Sequence, residues 1–300
     1  MKDSTQMQDE GRPLLGVALV AMAVFCFASS DVLMKTLAMR YPVPVVGTAR
    51  YVVSLILLTV LLWPRQGRAL WRTQRTGLVI FRGFVLATAT LTMGLALRLM
   101  PVGETVAIIY LSPFAIMLLA IPLLGERVAL SGWIAAGVGF AGVLLILRPG
   151  GGLDPVGVMF ALANAGCATA YHLLSRLLSR TETTLAMLYI VTLVGSVVFG
   201  VLAIPSLGGP LPGWSDLGLM SILGVLATLG HFLFTAAYRE APASLVAPVN
   251  YLHLVWAGGL GWIVFGHLPD PVSAIGMALV LAAGIAIALR AHFSRRLVTA

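Results

Sequence analysis

Residues 101–148 read PVGETVAIIYLSPFAIMLLAIPLLGERVALSGWIAAGVGFAGVLLILR, and residues 242–290 read PASLVAPVNYLHLVWAGGLGWIVFGHLPDPVSAIGMALVLAAGIAIALR. The two segments are copies of one pattern, offset by 141 positions (251 − 110 for the paired tyrosines Tyr110 and Tyr251) and, after one extra residue in the second copy, by 142 (290 − 148 for Arg148 and Arg290). The offset of 141 relates further pairs upstream: Gly16/Gly157, Cys26/Cys167, Lys35/Arg176 and Arg98/Arg239. The chain is therefore two halves of one design.

The composition indicates that the protein's natural solvent is lipid. Of 300 residues, 59% are hydrophobic and 10% are charged, whereas soluble domains carry roughly 25% charged residues. The net charge of +8 comes from basic residues at the ends of apolar runs, which is typical of orientation signals rather than of a nucleic-acid-binding surface. We therefore expect a lipid bilayer and a small molecule as partners, and no nucleic acid.

Ten apolar runs approach the roughly 20 residues that a membrane helix needs. We number them span 1 to span 10, and they cover 14–38, 43–63, 77–98, 102–123, 130–148, 155–178, 183–205, 215–238, 243–265 and 271–291. Residues 1–13 form an N-terminal tail, 14–148 a first five-span repeat, 155–291 a second, and 292–300 a C-terminal tail. The first tail is too acidic and span 1 too long for a cleaved signal peptide, so span 1 is expected to be retained.

Basic residues predict how the chain crosses the membrane. With a cytoplasmic N-terminus, the inner side holds thirteen Lys and Arg residues and the outer side three. This bias places both termini in the cytoplasm. Each half has five spans, an odd number, so the second half must enter the membrane from the opposite side. The sequence thus predicts an all-α fold of two inverted five-helix repeats around a central cavity, an architecture of secondary transporters.

The proline-led span 4 (PVGETVAIIYLSPF), the LLGERV that follows it and the glycine-rich WIAAGVGFAGVLLI of span 5 resemble the EamA branch of the drug/metabolite transporter superfamily. Within that branch the chain is most similar to bacterial exporters of aromatic amino acids. The resemblance implies a ten-helix inner-membrane carrier without cofactor or metal, with a cavity walled mainly by spans 1, 3, 4, 6, 8 and 9. The second copy has Gly266-His267-Leu268 in place of Gly125-Glu126-Arg127, so a role shared by both copies is not implied there.

Polar and aromatic residues in spans 4 and 9 are the first candidates for that cavity. Asn250 and His253 share a helix face, and such residues are costly in mid-membrane unless they meet protein or water. Tyr110 and Tyr251 are repeat mates that could form two aromatic walls. For these residues the alternative is ordinary interhelical packing or hydrogen bonding. The candidates in these two spans are Tyr110, Ser112, Asn250, Tyr251, His253 and Trp256.

The remaining candidates lie in spans 1, 3, 6 and 8: Asp31, Thr90, Asn164, His172 and His231. Asp31 and Lys35 have the i, i+4 spacing of a helix ion pair, which is either a proton-responsive pair or a self-satisfied one near the outer water. Arg82 is expected to snorkel to the cytoplasmic surface. Glu104 is expected to cap the positive end of its helix.

Two prolines are expected to act as hinges, Pro113 in span 4 and Pro248 in span 9, because proline removes a backbone hydrogen bond. Glycines in spans 5 and 10 allow close helix approach, either between the halves or with a second subunit. The oligomeric state stays open, a monomer included.

These features favour a carrier that exports small metabolites, most simply aromatic or small neutral amino acids, by alternating access. A carrier for drugs or organic cations is the alternative, and it would need a cavity carboxylate such as Asp31. The sequence contains no HExxH, GxSxG or Asp-rich metal motif, which argues against a membrane-embedded enzyme.

Overall fold

A computed structural model describes residues 13–124, 130–148, 152–179, 181–209, 212–241 and 249–298, and all regular structure in these ranges is helical. The helices follow the predicted spans: Pro13–Ala38, Val43–Gln66, Thr76–Leu99, Val102–Ile109 with Leu111–Leu124, Leu130–Leu147, Pro155–Leu178, Thr184–Ala203, Trp214–Glu240, Leu252–Phe265 and Pro271–Val298. Short 3₁₀ turns, Gly67–Trp71 and Ile204–Ser206, follow spans 2 and 7.

Six of these helices are long and apolar enough to cross a bilayer, namely spans 1, 2, 3, 6, 7 and 8. Four shorter apolar helices, Val102–Ile116, Trp133–Leu147, Leu252–Phe265 and Pro271–Ala286, account for spans 4, 5, 9 and 10. The fold is therefore an all-α membrane architecture of two five-helix repeats, as the sequence predicted.

Local signals in the sequence set several helix ends. Asp154 precedes span 6, and its carboxylate accepts a hydrogen bond from the N–H of Gly157 at 2.8 Å, while Pro155 occupies the first helical position, where no N–H is needed. Thr183 caps span 7 in the same manner through the N–H of Ala186. Gly266 ends span 9 with a positive φ of 68°, a conformation that favours glycine.

The helix packing repeats itself between the halves. Span 1 packs against span 8, and its repeat mate, span 6, packs against span 3, the mate of span 8. Spans 2 and 7 pack on each other, as do spans 5 and 10. Every one of these contacts therefore has its counterpart under exchange of the two halves, as a two-fold relation between the repeats requires.

The symmetry extends to single residues. A Cβ on Gly16 would collide with Ala241, and a Cβ on Gly157 would collide with Met100; both members of these contacts are related by the 141-residue offset. The same relation links the contacts Gly83 with Val194 and Gly224 with Val53. Each pair brings two helix backbones close through a glycine, so the repeat that is visible in sequence is also a repeat of interhelical contacts.

Polar contacts tie the ends of the spans together. After span 1, Tyr41 donates a hydrogen bond to Asp216 at 2.7 Å and Arg40 forms an ion pair with it at 2.8 Å. At the equivalent place of the other half, Glu182 accepts hydrogen bonds from the N–H groups of Gln74 and Arg75. Hydrogen bonding to Asp216 raises the pKa of Tyr41, because the neutral phenol is the donor.

Spans 5 and 10 join the two halves on another side. Gly142 and Gly276 face each other so closely that a Cβ on either would lie about 2.5 Å from the carbonyl oxygen of the other. Beside this crossing, Arg148 forms an ion pair with Asp270 at 2.6 Å. Hydrogen bonds from Ser273 and Arg148 hold the pKa of Asp270 well below its ordinary value, so this ion pair persists at neutral pH.

Candidate functional site

The repeat mates Tyr110 and Tyr251 meet where the two halves join. Their ring centroids are 5.0 Å apart, and the two residues are 7% and 6% exposed. The Tyr110 hydroxyl donates to the backbone carbonyl of Asn250 at 2.8 Å. Because residues related by a two-fold axis can touch only near that axis, the tyrosine pair marks the centre of the molecule.

The helices are interrupted at both tyrosines. Span 4 is helical over Val102–Ile109 and again from Leu111, with Tyr110 between the two segments. Span 9 is interrupted at Tyr251 and resumes at Leu252. Pro113, three residues beyond the first break, has no N–H to pair with the carbonyl of Ile109, which accounts for that interruption. The second predicted hinge, Pro248, lies outside the described residues.

An acid–base pair lies beside the tyrosines. Asp31 Oδ2 of span 1 is 2.9 Å from His253 Nε2 of span 9, and the two side chains are 16% and 17% exposed. The His253 ring lies 6.0 Å from that of Tyr110 and 6.4 Å from that of Phe27. His231 of span 8 contacts the other side of Phe27, with ring centroids 5.1 Å apart. We call this group the central site: Phe27, Asp31, Tyr110, His231, Tyr251 and His253.

The structure does not form the Asp31–Lys35 ion pair that the sequence spacing suggested. Lys35 instead donates to the backbone carbonyls of Leu97 at 2.7 Å and Met100 at 2.6 Å. These carbonyls lie at the C-terminal end of span 3, where no N–H group of the helix itself can pair with them. Asp31 is thereby free to pair with His253.

A basic group lies on the side of spans 2, 3 and 6. Arg50, Arg82 and His172 are all within electrostatic range of His231. Arg50 donates to Thr90 Oγ1 at 3.1 Å, and the Tyr51 hydroxyl is 2.8 Å from the same oxygen. Guanidinium groups therefore lie within electrostatic range of His231, whereas the carboxylate of the central site, Asp31, pairs with His253.

Arg82 is buried rather than snorkelling, so the expectation from sequence was wrong. Its residue exposure is 7%, and its guanidinium donates to Ser175 Oγ at 2.7 Å, to the Tyr171 hydroxyl at 2.6 Å and to the carbonyl of Met187. The guanidinium also stacks over the Tyr171 ring, 4.2 Å from its centroid. A buried cation is tolerated only when it is well paired, and spans 6 and 7 supply that pairing.

Other predicted residues sit around these groups. Asn164 donates to the carbonyl of Ala89, and Ser112 accepts a hydrogen bond from Thr169 at 3.2 Å. His172 packs edge-on against Tyr171, with ring centroids 5.6 Å apart. These contacts fix the side chains in spans 3, 4 and 6, and a direct role in substrate binding stays a prediction for each of them.

Trp256 lies farther from the centre. It packs edge-on against Phe25 at 5.1 Å, and both residues are about 40% exposed. Aromatic side chains that are exposed on a membrane helix commonly contact lipid. This position of Trp256 is therefore no evidence for a role in the cavity.

Glu104 contacts a residue that the sequence did not lead us to expect. Glu104 lies in the first turn of its helix, as expected from sequence, but its side chain is 3% exposed and Oε1 is 2.9 Å from His267 Nε2. One sequence feature could have indicated this contact: His267 occupies the position at which the first repeat has the acidic residue Glu126. Among the described residues, no cluster of three or more His, Cys, Asp or Glu side chains is arranged to hold a metal ion.

The fold and this polar centre define a membrane transporter. The model of the EamA-like transporter family matches the chain twice, over residues 14–148 and 155–289. The chain belongs to the EamA-like transporter family.

Relatives across bacteria agree with this assignment. An uncharacterized transporter of Helicobacter pylori is 28% identical over 93% of this chain and 96% of its own. The pseudopaline exporter CntI of Pseudomonas aeruginosa is 26% identical over 91% and 95%, and a riboflavin transporter of Rhizobium johnstonii is 29% identical over 96% of each chain. A solved crystal structure that is 22% identical shares the fold, with a TM-score of 0.65 over 95% of this chain and 99% of that one.

Proposed function

We propose that the protein exports small metabolites, most simply aromatic or small neutral amino acids, across the bacterial inner membrane by alternating access, with both termini in the cytoplasm. The observation that carries this proposal is the tyrosine pair with groups of both charges nearby. Asp31 pairs with His253 beside the Tyr110 ring, and Arg50 and Arg82 lie within electrostatic range of His231. An amino acid presents an ammonium, a carboxylate and a side chain, and each has a matching group here.

The energetics of the membrane support this assignment. Ionisable groups inside a membrane protein are expensive, and those that persist usually line a substrate path. A zwitterion could satisfy Asp31 through its ammonium and an arginine through its carboxylate. Its side chain would then lie against the rings of Tyr110 and Tyr251, which suits an aromatic or small apolar group.

The inverted repeat supports the transport mechanism. Two halves of the same fold in opposite orientation can exchange their conformations, which produces inward-open and outward-open states of similar energy. The interruptions at Tyr110 and Tyr251 lie where such an exchange would bend spans 4 and 9. Substrate bound between the halves would face one side and then the other.

Counterflow in proteoliposomes tests the proposal. Purified full-length protein would be reconstituted with a high internal concentration of phenylalanine, leucine, alanine or serine, and entry of the labelled amino acid would be followed. We expect transient accumulation for at least one of them, and none in liposomes that contain the variant Tyr110→Ala. Folded wild-type protein that moves none of a broad amino-acid panel would contradict the substrate assignment.

Export of organic cations is the second candidate, because Asp31 provides a carboxylate at the central site. The hydrogen bond with His253 makes that carboxylate less available than an isolated one would be, which is why we place amino acids first. Counterflow of labelled tetraphenylphosphonium that is lost in Asp31→Asn would favour the cation carrier.

A further inference from the structure

A cavity of about 230 Å³ lies where spans 1, 3, 4 and 9 end, and none of the central-site residues lines it. Its ionisable lining residues are Lys35, Glu104 and His267. We call it the Glu104 cavity. Its volume is below the roughly 300–1,000 Å³ of pockets for drug-sized ligands, so it would suit a small solute or the head group of a larger one.

Glu104 lines this cavity, and one of its two carboxylate oxygens is unpaired. Oε1 is bound to His267, but Oε2 is buried and has no hydrogen-bond partner. The side chain as a whole is 3% exposed. Buried acceptors are almost always paired in folded proteins, and a carboxylate oxygen is satisfied best by a charged donor. The missing partner is therefore expected to be a donor that a ligand brings, such as an ammonium group.

Lys35 offers the opposite charge in the same cavity. Its ammonium has three N–H donors, and two of them bind the carbonyls of Leu97 and Met100. The ammonium also lies 5.4 Å from the centre of the Phe265 ring, and its third N–H forms no hydrogen bond with the described residues. Lys35 and Glu104 interact electrostatically, but these two described residues form no ion pair with each other, because Glu104 turns toward His267 and Lys35 toward the end of span 3.

We propose that the Glu104 cavity is a second binding site that takes the α-amino and carboxylate groups of a small zwitterion, with the ammonium on the Glu104 carboxylate and the carboxylate on Lys35. A ligand with both charges complements both residues, whereas a simple amine or a simple carboxylate leaves one of them unmatched. His267, whose side chain is 47% exposed, lies at the entrance and holds the carboxylate in place. The inference deepens the proposed function and rests on it for the choice of an amino acid as ligand.

Protection of a cysteine at the cavity tests this site without any transport. Full-length protein with Cys26→Ala and Cys167→Ala would be purified in detergent, and the variant Pro269→Cys, which places a thiol on the cavity lining, would be labelled with a maleimide. The probes are glycine, alanine and phenylalanine, compared with methylamine and propionate. Leu268→Cys is the matched control, because Leu268 is 61% exposed and does not line the cavity.

We expect at least one of the amino acids, at saturation, to slow labelling of Pro269→Cys by roughly fivefold or more, and to leave Leu268→Cys unchanged. Methylamine and propionate should protect far less. Glu104→Gln should abolish protection while the thermal unfolding temperature stays near that of its parent. If Glu104→Gln fails to fold, the comparison of amino acids with methylamine and propionate decides the question.

Equal protection of both cysteines, or no protection by any amino acid, would overturn the proposal, as would equal protection by methylamine alone. The outcome also separates this site from the proposed function. Amino-acid counterflow without protection of Pro269→Cys would contradict the second binding site and support the proposed carrier function. Protection without counterflow would support the second binding site and contradict the assignment of amino acids as the transported substrate.

Discussion

At the scale of single residues, the Asp31–His253 pair is the contact that links span 1 to span 9 at the centre. Each side chain is about five-sixths buried, so removing one partner leaves a polar group that has no other hydrogen-bond partner among the described residues, in a largely apolar setting. Such a loss costs more than the pair itself contributes. The pair is therefore expected to act as a unit, both in stability and in transport.

A double-mutant cycle tests that coupling. Asp31→Asn and His253→Gln should each reduce counterflow about tenfold or more, and the double variant should be no worse than the poorer single variant, with a coupling free energy of about 0.5–3 kcal/mol in unfolding. Thermal unfolding and counterflow on the four proteins measure both quantities. Strictly additive losses would show that the two side chains act independently.

The buried guanidinium of Arg82 gives a second prediction. Arg82→Lys keeps the charge but loses the planar fork that reaches Ser175 and Tyr171 together. We expect the free energy of unfolding to fall by about 1–3 kcal/mol. The matched control is Arg65→Lys at the exposed end of span 2, which should change stability by less than about 0.5 kcal/mol. Equal effects of the two substitutions would contradict the buried role.

These residues also show where sequence reasoning stops. The pairing of Tyr110 with Tyr251 could be expected, because repeat mates near a two-fold axis must meet. The partner of Asp31 could not, because Lys35 is four positions away in sequence whereas His253 is 222 away, and only the packed fold determines which is nearer. For Arg82, hydrogen bonds to residues of spans 6 and 7 hold the guanidinium inside the protein rather than at the membrane surface. No local sequence pattern indicates these partners.

At the scale of elements, span 4 combines a break at Tyr110 with a proline three residues later. Pro113→Ala restores an N–H that can pair with the carbonyl of Ile109, so the helix should straighten and resist bending. We expect counterflow to slow by roughly fivefold or more, with an unchanged or higher unfolding temperature. Pro44→Ala is the control, because Pro44 lies in the first turn of span 2, where proline removes no helical hydrogen bond. Normal transport by Pro113→Ala would contradict the role of Pro113 as a hinge.

The crossing of spans 5 and 10 is the second element that can be tested. A Cβ on Gly142 would lie 2.6 Å from the carbonyl oxygen of Gly276, so Gly142→Ala must push the helices apart, at a cost of about 1–3 kcal/mol. A Cβ on Gly137 in the same span meets nothing within 4 Å, and Gly137→Ala should be neutral or stabilising by up to about 1 kcal/mol. Thermal unfolding compares the two. Similar effects would show that spans 5 and 10 do not approach as described.

At the scale of the whole molecule, the two-fold relation between the halves organises everything else. The spans, the repeat offset and the family resemblance were all visible in the sequence, because each depends on hydrophobic length or on residue identity. The asymmetry of the central site was less visible. The repeat mate of Asp31 is His172, so only one half contributes an acid, and it pairs with His253 across the boundary.

That asymmetry has a physical consequence. Two identical halves would create a site with the same charge on both sides of the axis, which would suit a symmetric ligand. Here the Asp31 carboxylate and the guanidinium groups near His231 are both present, and this combination favours a ligand that carries both charges. Under the proposed function, the fold supplies the alternation between two states, and the divergence of the halves supplies the chemical preference.

The most direct test of this account is the membrane sidedness of two exposed loop residues, Arg72 and Gly213, which the repeat offset of 141 relates to each other. Each would be changed to cysteine in a chain with Cys26→Ala and Cys167→Ala, and intact cells would be treated with a membrane-impermeant maleimide. Inverted repeats predict that Gly213→Cys is labelled in intact cells and that Arg72→Cys is labelled only after the membrane is permeabilised. Labelling of both from the same side would contradict the inverted arrangement, and with it the carrier mechanism.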